Sequence, residues 1–132
     1  MKKTFFIFLI LSVSLFADLK NEYPTQSFFQ TKTPIIDIRT PAEWKETGII
    51  KGAIPIMFFD EQGHYNTRAF LKALHAKVDI TKPFALICRT GHRTSIVAPW
   101  LAKELHYKVI NLKGGMMYVI HKLNIPTVPY KN

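Results

Sequence analysis

The sequence predicts an α/β domain, a parallel sheet flanked by helices, and three observations carry that prediction. Short apolar runs bounded by proline, glycine or charge recur along the chain, and amphipathic helical segments alternate with them. The third is length: 132 residues hold one core, against ~100 to 200 residues for a typical domain. Strands that alternate with helices in this way pair in parallel and are covered on both faces. Hydrophobic residues make up 48% and charged residues 20%, which supplies enough apolar surface for a packed core and excludes a disordered chain.

The chain opens MKKTFFIFLILSVSLFA, two lysines and then an apolar run that ends at Ala17 before the polar stretch Asp18 to Glu22. That layout reads as a signal peptide over residues 1–17, with one domain over 18–132 and an exported, periplasmic location. The run is shorter than the ~20 residues a spanning helix needs, so cleavage is expected and no stable membrane insertion afterwards. Leu15, three residues before the joint, leaves an uncleaved N-terminal anchor as the alternative.

Within the domain, residues 35–39, 54–59, 84–88 and 108–112 read as strands. Residues 67–78 place Phe70, Leu71, Leu74 and Val78 on one helical stripe. Residues 94–106 do the same with Ile96, Val97, Trp100, Leu101 and Leu105, and Pro99 should bend that helix.

Formal net charge is +9 and the isoelectric point about 9.8, which raises the question of nucleic acid. Beyond Lys2 and Lys3 no two Lys or Arg are adjacent and no helix collects them into a stripe, so a soluble basic surface is expected and no nucleic-acid partner. A single cysteine, Cys88, excludes an intramolecular disulfide framework and a multi-cysteine zinc site. His64, His75, His106 and His121 show no ligand spacing, and neither a metal nor a cofactor is expected. Asp60, Glu61 and Gly63 read as turn chemistry, and Met116, Met117 and Tyr118 as packing.

Chemistry concentrates in Cys88-Arg89-Thr90-Gly91-His92-Arg93, between an apolar strand and an amphipathic helix. Ligands of open parallel sheets bind beyond the carboxyl ends of strands, and this segment occupies such an end. A short turn entering a helix aims backbone N–H groups inward, and Gly91 permits the turn. Such a cradle favours anions. With Arg89 and Arg93 nearby, Cys88 is expected to act as a thiolate nucleophile, and Arg89, Thr90, Gly91, His92 and Arg93 to bind substrate.

The chain resembles the rhodanese family of sulfurtransferases over nearly the whole mature sequence. Ile36-Asp37-Ile38-Arg39 with Glu43-Trp44 is similar to the family's first long strand and its D-x-R, x-E-aromatic motif. Gly48 to Ile54 resembles its G-H-I-x-G-A-I turn, Cys88 to Arg93 its six-residue active loop, and Leu112-Lys113-Gly114-Gly115 its closing L-x-G-G. Ile49 stands where the family usually has His, Val119 where it has Trp, and His92 where Asn is commoner.

The resemblance implies a single rhodanese-like domain with a central parallel sheet of about five strands. It also implies structural support from Asp37 and Arg39, with Arg39 paired to Glu43. The implied reaction moves a sulfane sulfur from a small anionic donor such as thiosulfate, through a Cys88 persulfide, to cyanide or a thiol. Two alternatives remain: a non-enzymatic persulfide carrier or sensor for a protein partner, and a cysteine-dependent phosphatase or arsenate reductase. The latter use Cys-x5-Arg loops, whereas here Arg93 follows after four residues and Thr94 takes the next place.

Overall fold

The computed structural model describes residues 18–132, so the expected signal peptide at 1–17 lies outside the described residues. Among the described residues no helix is long and apolar enough to cross a membrane. Five strands form one parallel sheet in the order β1-β5-β4-β2-β3. They are β1 (Leu19–Glu22), β2 (Ile35–Asp37), β3 (Ile54–Pro55), β4 (Phe84–Ile87) and β5 (Val109–Leu112), and the helices are α1 (Pro41–Thr47), α2 (Thr67–Lys77), α3 (His92–Leu105) and α4 (Gly115–Met117). The predicted fold class is what the chain adopts.

Period-2 alternation divides the core into two layers. Ile36, Leu86 and Val109 face α2 and α3, where they meet Phe70, Leu74, Val97 and Leu101. Ile35, Ala85, Ile87 and Leu112 face the other way, against Met116 and Val119. All four β4 residues are fully buried, as a central parallel strand covered on both faces requires.

Several boundaries differ from expectation, each for a local reason. β1 was not expected, because three of its four residues are exposed and polar; it adds at the sheet edge through Leu19 paired with Val109 and Glu22 paired with Leu112. Only Ile54–Pro55 of the second predicted strand is regular, although Ile56 N–H still donates to Asp37 O and Phe58 N–H to Ile38 O. Helix α1 has a capping box, Thr40 and Glu43 exchanging bonds around Pro41, a start signal that the sequence displays as Thr-Pro-Ala-Glu. Helix α3 runs through Pro99 without a break. Of its expected core stripe, Val97 and Leu101 are buried, but Ile96 stands 51% exposed.

Candidate active site

β4 lies between β5 and β2, so the residue that follows it emerges at the middle of the sheet's carboxyl edge. Cys88 is that residue, and it is 1% exposed. The chain then turns at Gly91, whose φ of 100° is left-handed backbone that a side chain rarely adopts, and enters α3 at His92. The turn aims the Gly91 N–H at the sulfur, 3.2 Å away. Thr94, in the first turn of α3 and fully buried, brings Oγ1 to 3.6 Å from Sγ and donates to the Gly91 carbonyl at 3.2 Å.

The cradle is backed by the turn after β5. Met116 N–H donates to the Cys88 carbonyl at 2.8 Å and Met117 N–H to that of Arg89 at 3.0 Å. Gly115 comes so close that a Cβ there would stand 2.6 Å from the Cys88 carbonyl oxygen, closer than non-bonded atoms tolerate. The Leu112-Lys113-Gly114-Gly115 sequence therefore serves the loop directly, its glycine letting one backbone lie on another.

The two loop arginines do different things. Arg93 is turned to α1, where its two terminal nitrogens donate to the two Glu43 carboxylate oxygens at 2.7 and 2.8 Å. Burial alone would raise the Glu43 carboxyl, but the Arg93 bonds and charge, with help from Thr40, more than offset it and hold the group at about 2. The Glu43 hydrogen bonds raise Arg93 in turn, against burial, and the charges of Glu43, Cys88 and Asp37 all favour its cation. Arg89 keeps its head 41% exposed, with only a 4.0 Å approach to Glu46. Thr90 and His92 are exposed.

The expected Arg39–Glu43 pair does not form. Arg39 is fully buried and binds Asp37, Nε to Oδ1 at 2.9 Å and a terminal nitrogen to Oδ2 at 2.8 Å, while its other donors reach Thr47 Oγ1 and the Gly48 carbonyl. Asp37 ends β2 and lies only two residues before Arg39, so it takes the Arg39 guanidinium, and Glu43 is left for Arg93. Asp37 and Arg39 thus lock the end of β2 to the end of α1. The thiol contact of Thr94 and the Glu43–Arg93 pair were not anticipated. Thr94 lies three residues past the turn glycine, where a helix's first turn faces back on the loop; that spacing could have pointed to it. Among the described residues no group of three or more His, Cys, Asp or Glu is gathered to hold a metal.

The family model of the rhodanese-like domain matches residues 15–121. The chain belongs to that family. A curated relative, an uncharacterized protein of Rickettsia prowazekii, is 30% identical over 84 residues, which span 61% of this chain and 67% of the relative. A Mycobacterium tuberculosis protein of solved structure is similar in fold, with a TM-score of 0.60 at 20% identity over 73% of this chain and 78% of its own. A rhodanese-like domain protein from Staphylococcus aureus gives 0.50 at 22% identity, covering 65% and 72%. These similarities establish the rhodanese-like fold, and the matched family is of sulfurtransferase type.

Proposed function

We propose that this rhodanese-like domain is a sulfurtransferase that moves a sulfane sulfur through a Cys88 persulfide. The observation that carries the reading is the buried Cys88 sulfur, received by the Gly91 N–H at 3.2 Å inside a six-residue loop. Cys88 as thiolate attacks the outer sulfur of thiosulfate; the S–S bond breaks and sulfite leaves with its electron pair. An acceptor thiolate or cyanide then attacks the outer sulfur of the persulfide, and the pair returns to Cys88. The Gly91 N–H is placed to stabilise the sulfur anion as a donor does in an oxyanion hole, and the Thr94 hydroxyl, 3.6 Å from Sγ, can join it by turning from the Gly91 carbonyl to which it donates.

Arg93 is spent on Glu43, so holding the anionic donor falls to Arg89 and the exposed backbone of the loop. Loop length weighs against the phosphatase reading: Arg93 follows Cys88 after four residues, not the five of a Cys-x5-Arg loop, and its guanidinium is turned to Glu43. Purified protein should release sulfite from thiosulfate when cyanide is present, and hydrolyse aryl phosphates negligibly; phosphatase activity without sulfur transfer overturns the reading. Arg89→Ala should raise the KM for thiosulfate several-fold.

Export is part of the proposal, motivated by the two lysines and apolar run of residues 1–17. β1 begins at Leu19, and the Asp18 carbonyl accepts from Val109 N–H at 2.7 Å, so removal of residues 1–17 leaves β1 whole. N-terminal sequencing of the native protein should begin close to Asp18, and intact Met1 in a cytoplasmic fraction contradicts export.

A further inference from the structure

Four large apolar side chains stand exposed among the described residues: Tyr23 at 52%, Met57 at 37%, Tyr65 at 62% and Ile96 at 51%. Three of them, Met57, Tyr65 and Ile96, gather around Phe58. Ile96 lies between His92 and Trp100 at i, i+4 and i+8 on α3, a stripe that starts at the Cys88 loop with His92 and Ile96 exposed and ends on Trp100, partly buried against the core, with neighbouring residues ~5 to 6 Å apart. Ile96, Trp100 and Tyr65 line a groove of about 460 Å³ with Phe58 as its hub. Met57 and Tyr65 border a second groove of about 380 Å³ on the other side of Phe58. Phe58 itself is buried, with ring centroids at 5.5 Å from Tyr65 and 5.8 Å from Trp100, and its N–H bonds to Ile38, just past the end of β2. Tyr23 touches the loop's backing: its ring is 3.3 Å from where a Gly114 Cβ would stand, and Gly114 N is equally close to that of Gly91.

Resting on the sulfurtransferase reading, we infer that this apolar collar docks an acidic partner protein that presents a cysteine to Cys88 as sulfur acceptor. Its makeup is that of an interface centre, a rigid aromatic hub with Tyr, Met and Ile displayed around it. The lining is too exposed to enclose a small molecule, which a binding pocket typically covers by ~70 to 90%. Charge selects among large partners. Without Lys2 and Lys3 the domain carries +7, which opposes a second copy of itself and favours association with an acidic partner. The transfer balances: the partner's thiolate attacks the outer persulfide sulfur, the S–S bond breaks toward Cys88, and the partner leaves as a persulfide.

The test uses thiosulfate-loaded protein and three thiols: an acidic synthetic peptide with one cysteine between leucine and phenylalanine, its analogue with both apolar residues replaced by serine, and benzyl mercaptan. The parent should transfer sulfur to the apolar peptide at least tenfold faster than to the serine analogue. Ile96→Asp and Tyr65→Ala should each remove most of that advantage while thiosulfate–cyanide turnover changes less than twofold. Equal transfer to both peptides, or an advantage that survives both substitutions, overturns the docking surface. So does benzyl mercaptan gaining and losing as much as the apolar peptide, which marks a small-molecule groove. Sedimentation with phosphatidylglycerol vesicles that Ile96→Asp abolishes, with peptide transfer unchanged, assigns the collar to a membrane and overturns it too. If the parent fails to turn over thiosulfate and cyanide, the sulfurtransferase reading falls and docking falls with it; normal turnover with indistinguishable peptides sinks docking alone.

Discussion

Arg93 and Glu43, fifty residues apart, are joined by two parallel N–H···O bonds that tie the start of α3 to the start of α1. Both side chains are about four-fifths buried, at 22% and 17% exposure, so the pair is shielded from water and from salt. Glu43→Ala and Arg93→Ala should each cost about 1.5 to 3 kcal/mol in urea unfolding, since each strands a charged partner. The double variant should cost little more than either alone, because the pair is lost once. Strict additivity contradicts the pairing.

The same bond sets an acid limit on stability. Glu43 sits at about 2 in the fold against its ordinary 4.5, so its contribution is complete above pH 4.5 and is lost as pH falls toward 2. The stability gap between parent and Glu43→Gln, measured by urea titration, should therefore be constant from pH 7 to 5 and shrink steadily below. A gap that does not change down to about pH 2.5 contradicts it.

Much of this pair was out of reach of sequence reasoning, and the reason is physical. The alternating apolar runs around Ile36, Leu86 and Val109 specify a doubly covered parallel sheet because burial there leaves a local, periodic signature. The loop from Cys88 to Arg93 is legible for the same reason: its residues are contiguous. Which carboxylate Arg93 meets depends on how two helix starts come together across the sheet edge, and no local pattern records that. β1 leaves no such signature because an edge strand can be polar, and the stripe that holds Ile96 does not say how wide the covered face is. The Thr40–Glu43 capping box, in contrast, was present in the sequence and simply lay beside louder motifs.

Thr94 should matter to chemistry more than to folding. Thr94→Val keeps the shape of the side chain but removes the hydroxyl 3.6 Å from Sγ and leaves the Gly91 carbonyl without that donor. A stability loss of about 1 kcal/mol is expected, with a drop of roughly tenfold in sulfur transfer and slower iodoacetamide alkylation of Cys88 at neutral pH. An unchanged alkylation rate contradicts the role assigned to the hydroxyl.

Gly115 and Gly63 make a matched comparison. Both have positive φ, but a Cβ on Gly63 meets nothing within 4 Å, whereas one on Gly115 stands 2.6 Å from the Cys88 carbonyl. Gly63→Ala should cost only the backbone strain, about 1 to 2 kcal/mol, and leave sulfur transfer intact. Gly115→Ala should cost more and push the loop out of register, lowering transfer at least tenfold; equal effects of the two substitutions contradict the backing role of the Gly114-Gly115 turn.

The central claim is that the Cys88 sulfur carries a second sulfur between donor and acceptor, and intact-protein mass spectrometry after incubation with thiosulfate reads it directly. The expected result is a gain of one sulfur atom, mapped to Cys88 by peptide analysis, discharged by cyanide and absent in Cys88→Ser. A Cys88 that stays an unmodified thiol under excess thiosulfate, in protein shown to be folded, contradicts it.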